Sequence, residues 1–167
     1  NLDRKKLMEV LKQGEDRLPA DYRRILDNTP FSDAQRSDLL QEINTSHCNL
    51  LDAQTGRMMM QAQRIRDAAL TDTLLSITEP VKVLITGLGH ARNDRGLPLY
   101  LENNLQTAAD IVAIGMIEVD PEKTEPAAYA EAWNRDSLPF DIVIFTPTVD
   151  HGDLCGELEQ HFNRKIE

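Results

Sequence analysis

The densest run of chemically able side chains is Gly87-Leu88-Gly89-His90-Ala91-Arg92-Asn93-Asp94-Arg95-Gly96-Leu97-Pro98. His90 can act as an acid, a base or a metal ligand, and the two arginines can pair with carboxylates. Gly87, Gly89 and Gly96 permit tight turns and close backbone approach to a ligand. Upstream, Gln63, Arg66 and Asp67 share one helical face, so they can project together toward the same cleft. A plainer reading stands beside each of these. His90 can be a turn histidine that holds the loop by hydrogen bonding, and Arg92 can pair with Asp94 to stiffen it.

Several familiar sites are excluded. Gly87-x-Gly89 opens like a dinucleotide fingerprint, but Arg92 stands where the third glycine belongs, and Asn93 and Asp94 follow where the helix should begin. No Gly-x-Ser-x-Gly elbow, P-loop or His-Glu-x-x-His helix occurs. The run Asp150-His151-Gly152-Asp153-Leu154-Cys155 holds metal-capable groups, yet without a second ligand cluster it reads as a polar turn. Met58, Met59 and Met60 read as adaptable core or interface residues. A net charge of -10, from 28 acidic and 18 basic residues, removes the electrostatic footprint for nucleic acid. The longest apolar runs, Val83 to Ile85 and Ile111 to Ile117, are far shorter than the roughly 20 residues of a membrane span. Cys48 and Cys155 lie far apart, which leaves pairing open. Asn1 in place of Met, with no apolar leader before it, predicts a processed or shortened N-terminus.

The elements that must position these residues follow from periodicity. Leu7, Val10 and Leu11 predict a first helix closed by Gly14 and Leu18-Pro19. Ala20 to Leu26 predicts a second, and Ser32-Asp33-Ala34-Gln35 is a capping box opening a third that runs to His47. A fourth, from about Thr55 to Ile77, is expected to pack on the sheet. Val81 to Thr86, Ile111 to Val119 and Asp141 to Thr146 predict three strands, separated by helices at Leu97 to Asn103 and Glu125 to Trp133. The fold class is therefore α/β, a parallel sheet flanked by helices, with a small all-helical lobe at 1–50 and an α/β part at 51–167 forming one unit. Three strands give little area for about four helices to cover. The chain thus reads as the C-terminal part of a larger domain, with further strands from a preceding half or a second chain.

Residues 86–98, TGLGHARNDRGLP, resemble the Gly-x-Gly-His-x-Arg-x-Asp-x-Gly-x-Pro signature of the ChaN family, within the Tiki superfamily. Residues 62–70, AQRIRDAAL, resemble that family's Gln-x-x-x-Asp segment. The resemblance implies a non-catalytic, haem-binding protein of bacterial iron uptake, iron-regulated and often lipid-anchored, on the periplasmic side of the cell envelope. Haem would be both cofactor and partner, bound at the carboxyl ends of the strands, where open α/β sheets hold ligands. It implies ligand roles for Gly87, Gly89, His90, Gln63, Arg66 and Asp67, with Arg92 meeting a haem propionate. Axial candidates are Tyr100, His90, Tyr22 and His47, with Tyr129 a further tyrosine. It also implies a homodimer, or pairing with an N-terminal half whose Gly-Glu-x-His strand has no match here. Any membrane contact would run through a lipid anchor outside this chain. Two other readings stand: a metal-dependent hydrolase of the Tiki and erythromycin esterase type, and an interaction domain presenting the helical lobe Leu2 to Leu50.

Overall fold

A computed structural model describes residues 4–131, 133 and 135–163. Among these, α1 (Arg4–Gln13) buries Leu7 and Val10, and Gly14, at a φ of 103°, turns the chain away from it. Only glycine adopts that backbone without strain. A 3-10 turn leads to α2 (Ala20–Asp27), which buries Ile25 and Leu26. The next helix, α3 (Asp33–Ser46), opens with the expected capping box, in which the Ser32 hydroxyl and the Gln35 side chain each satisfy the other residue's backbone amide.

Helix α4 (Ala53–Ser76) starts where the Asp52 carboxylate accepts from the Thr55 amide at 2.8 Å. Its buried positions, including Ala62, Ile65, Asp67, Ala68 and Ala69, spread over much of its circumference. A helix so buried needs neighbours on several sides. It has them in α1, α2, α3 and α5 (Leu97–Asn104). This corrects the expectation that it lies chiefly on the sheet. The resulting core joins Leu7, Ile25, Phe31, Leu39, Ile65 and Tyr100.

The chain is mixed α/β, as the sequence predicts, but its sheet is smaller. Strands β1 (Ile114–Glu118) and β2 (Ile142–Thr146) pair in parallel, with Ile114 opposite Ile142 and Glu118 opposite Thr146. Helix α6 (Pro126–Glu131) lies in the crossover between them, and its Tyr129 ring sits 4.9 Å from that of Phe145. Gly115 meets the Phe140 ring so closely that an added Cβ would lie 2.7 Å from it. Ile114, Met116, Ile142 and Ile144 all remain exposed.

Val81 to Thr86 does not form the third strand. It runs without regular structure, and among the described residues its backbone makes no hydrogen bond. Val81, Val83 and Ile85 are 79%, 84% and 94% exposed. β-branched residues favour an extended chain, but a strand exists only when a neighbour supplies donors and acceptors. No described segment does so. The Lys82 ammonium, donating to the Leu74 carbonyl at 2.9 Å, ties the segment back to α4.

Helix α7 (Leu154–Asn163) is largely exposed, and a disulfide between Cys48 and Cys155, Cα atoms 5.7 Å apart, joins its start to the turn between α3 and α4. In that turn Cys48 and Asn49 both take left-handed backbone, with φ of 57° and 58°. With its cysteines 107 positions apart, the bond removes about 4.7 kcal/mol of chain entropy from the unfolded state in the loop-closure picture. Reduction is therefore expected to lower the denaturation midpoint, and the C48S/C155S double variant should match the reduced protein and ignore reductant; an unchanged midpoint would show that the bond carries no stability.

Candidate functional site

The glycine-rich loop is held by its own arginines. Arg92 is almost fully buried, with its side chain 2% exposed. Its Nε and Nη2 donate to the two carboxylate oxygens of Asp94 at 2.9 and 2.7 Å, and Nη1 donates to Glu42 of α3 at 2.8 Å. The Trp133 ring covers the guanidinium at 4.8 Å. Arg95 also donates to Glu42, and Arg135 pairs with Asp94 at 2.8 Å. Burial pushes the Asp94 carboxyl up, but the Arg92 hydrogen bond and the nearby arginine charges outweigh it and hold the group below its ordinary value. Gln35 of α3 donates to the Asp94 carbonyl at 2.8 Å, and the Asn93 amide donates to the Pro139 carbonyl at 2.9 Å. The loop is thereby pinned to α3 and to the entry of β2.

Gly96 closes the loop. Its amide donates to the Arg92 carbonyl at 2.8 Å, and an added Cβ would lie 2.7 Å from that oxygen. The close approach is to the loop's own backbone. At Gly87 and Gly89 an added Cβ would meet only side chains at ordinary contact distance, 3.9 Å from His90 and 3.7 Å from Gln63, and both glycines line the cavity described below.

His90 ends a 3-10 turn, Leu88–His90. Its Nδ1 lies 2.5 Å from the Asp67 carboxylate and 3.0 Å from the Gln63 amide nitrogen, both on α4. A single ring N–H serves the nearer, charged acceptor, so Nδ1 carries the proton and Nε2 keeps its lone pair. The facing nitrogen of Gln63 implies that its amide is turned to offer oxygen instead. Asp67 is 1% exposed. Burial pushes its carboxyl up to about 6, against the His90 hydrogen bond and the charges of His90, Arg64 and Arg95.

A cavity of about 640 Å³ opens beside this pair, a size suited to a small organic ligand. Leu7, Leu11, Leu39, Ile43, Met58 and Met59 supply apolar wall, while Gln63, Arg66, Asp67, Gly87, Gly89, His90 and His47 contribute polar lining. His47 is fixed like His90: its Nδ1 lies 2.7 Å from the Ile43 carbonyl, so that nitrogen donates and Nε2 is the free acceptor. Arg66 is exposed and, among the described residues, takes no ion pair or hydrogen bond.

Of the expected site residues, Gln63, Arg66, Asp67, Gly87, Gly89, His90 and His47 meet at one cavity. Arg92 is not in the lining, and both of its terminal nitrogens and Nε are taken by Asp94 and Glu42. Tyr100 is fully buried in the core, its hydroxyl accepting from Arg64 Nε at 3.2 Å. Burial raises its pKa well above the ordinary value, which opposes the phenolate that iron would need. Tyr22 packs against the core and Tyr129 donates and accepts around Asp120, both away from the cavity. In the Asp150 to Cys155 run, Cys155 is disulfide-bonded and His151 pairs with Glu118 at 2.9 Å. Sequence reasoning missed Glu42, which has no local motif; its signal lies in the pairing of two loop arginines with one acid of α3.

The family model described as haem-binding uptake, Tiki superfamily, ChaN matches residues 1–101, which include α1 to α4, the first part of α5 and the whole of this cavity's lining. The chain belongs to this family. No curated protein and no solved structure matches it.

In this ChaN-family chain, Arg92→Lys keeps the charge but loses the fork that grips Asp94. We expect it to cost roughly 3 kcal/mol, the scale for breaking a buried pair, in a chemical denaturation series. Asp67 sets a pH dependence. Its folded pKa is raised, so the folded chain holds that proton more tightly than the unfolded chain, and the contribution is full below about 4 and lost as pH rises through about 6. The stability of wild type relative to Asp67→Asn should therefore fall between pH 4 and pH 7; a flat difference would contradict the raised value.

Proposed function

We propose that the chain binds haem, without turnover, in the cavity beside His90, with His90 Nε2 as an iron ligand. The observation that carries this reading is the pairing of two imidazoles, each anchored at Nδ1, in one apolar-walled cavity. A metal-ligating histidine ordinarily gives its other ring nitrogen to a carboxylate or a carbonyl, which fixes the ring and its tautomer. His47 is the second candidate ligand. Arg66, with no partner of its own among the described residues, is the group we assign to a haem propionate in place of Arg92. The aliphatic and methionine side chains suit the faces of a macrocycle, since thioethers adapt to flat, polarizable surfaces. The Cys48–Cys155 disulfide supports a place in the oxidising cell envelope.

Titration with hemin tests the reading. A saturable Soret band is expected, weakened about tenfold or more in affinity in His90→Ala, at the lower end of what lost support at metal sites costs. Arg66→Ala should weaken hemin but leave hemin dimethyl ester unaffected. Tyr100→Phe should keep the band. Absence of a band above that of free hemin would end the proposal, and an unchanged affinity in His90→Ala would remove His90 from it.

A further inference from the structure

Asp67 is the least explained feature of the cavity. A carboxylate on a helix usually faces water, yet this one is 1% exposed inside α4, among Ile65, Ala68 and Ala69. Burying it without a full counter-charge is costly. The arginines that feel its charge are both committed elsewhere: Arg64 donates to the Tyr100 hydroxyl and the Thr29 carbonyl, and Arg95 to Glu42. Among the described residues, the one direct partner of its carboxylate is His90 Nδ1, at 2.5 Å. Holding a turn histidine in place would need only a backbone carbonyl, as Ile43 does for His47. The two imidazoles of one cavity thus differ in the acceptor behind them, one charged and one neutral.

Resting on the haem reading above, we propose that Asp67 is a positioning residue that makes the site selective for ferric over ferrous haem. The physical chain is short. A carboxylate accepting the Nδ1 proton draws it away from the ring and raises the electron density at Nε2, so the imidazole becomes a stronger donor. Ferric haem carries one more positive charge at iron than ferrous haem. A stronger donor and a negative charge behind it, in a site of low dielectric, both favour the more positive state. The neutral carbonyl behind His47 supplies no such bias. Arg64 and Arg95 reduce the effect of the carboxylate but, bound to other partners, do not cancel it.

The test compares ferric and ferrous hemin binding in the full chain, in wild type, Asp67→Asn and Asp67→Glu. Asparagine keeps an acceptor oxygen for Nδ1 but removes the charge. The expected result is that Asp67→Asn lowers the ratio of ferric to ferrous affinity at least about tenfold, read independently as a rise of about 59 mV in the one-electron potential of the bound haem. Asp67→Glu should restore part of it. Because Asp67→Asn alters a buried site and could fail to fold, the wild type supplies a second measurement. The iron–histidine stretching band of its ferrous complex should lie above that of an imidazole–haem complex in water. A ratio and potential unchanged in Asp67→Asn, or a wild-type band at the free-imidazole position, would overturn the role of Asp67 while leaving haem binding intact. Failure of the wild type to bind hemin at all would overturn both.

Discussion

A guanidinium taken out of water must be given its counter-charges in fixed directions, and in this chain that requirement organises everything near the cavity. Arg92, almost fully buried, faces Asp94 two residues along the same loop and Glu42 on a helix 50 positions earlier. The first contact shapes the loop, and the second attaches it to α3. Breaking either leaves the buried guanidinium with one counter-charge fewer, so the network resists small distortions. His90 lies two residues before Arg92, between this anchor and the carboxylate of Asp67 on α4. Its position is therefore set from two helices at once, although its own backbone belongs to a short turn.

That arrangement separates two kinds of charge. Arg92, Arg95 and Arg135 are taken by Glu42, Asp94 and Asp38, and of these only Arg95 and Glu42 reach the cavity lining, already paired with each other. Arg66, on the other side, is left open at the cavity. Of the two acids in the lining, Glu42 is held by Arg92 and Arg95, and Asp67 is turned toward a lining imidazole. The haem proposed above has a flat apolar body, an electron-poor centre and carboxylate edges, for which the apolar wall, the anchored imidazoles and the open Arg66 would be the counterparts.

Much of this was legible in the residues. Local signals served well: the Ser32–Gln35 capping box is formed as read, and Gln63 and Asp67, four apart on a helix, do reach His90. The alternative reading of Arg92, as the partner of Asp94, is the one the structure adopts. What failed depended on distant groups. Tyr100 is next to the loop in sequence, but its helix turns it into the core under Arg64, and nothing near it in the sequence says so. Glu42 was invisible because its role comes from two arginines brought to it by folding. The strand expected at 81–86 failed for a related reason. Its composition encodes an extended backbone, whereas pairing is a property of two segments.

That unpaired stretch has a consequence for anyone handling the polypeptide. Six residues of VKVLIT, open at the backbone and with Val81, Val83 and Ile85 facing solvent, form the kind of edge that natural sheets cover, twist away or punctuate with proline. The only charge in the stretch is Lys82, and its ammonium is drawn back onto the Leu74 carbonyl. In concentrated solution such an edge is a template for like segments from other molecules. Among the described residues, 81–86 thus offer other molecules an unpaired backbone that the well-packed helical core does not.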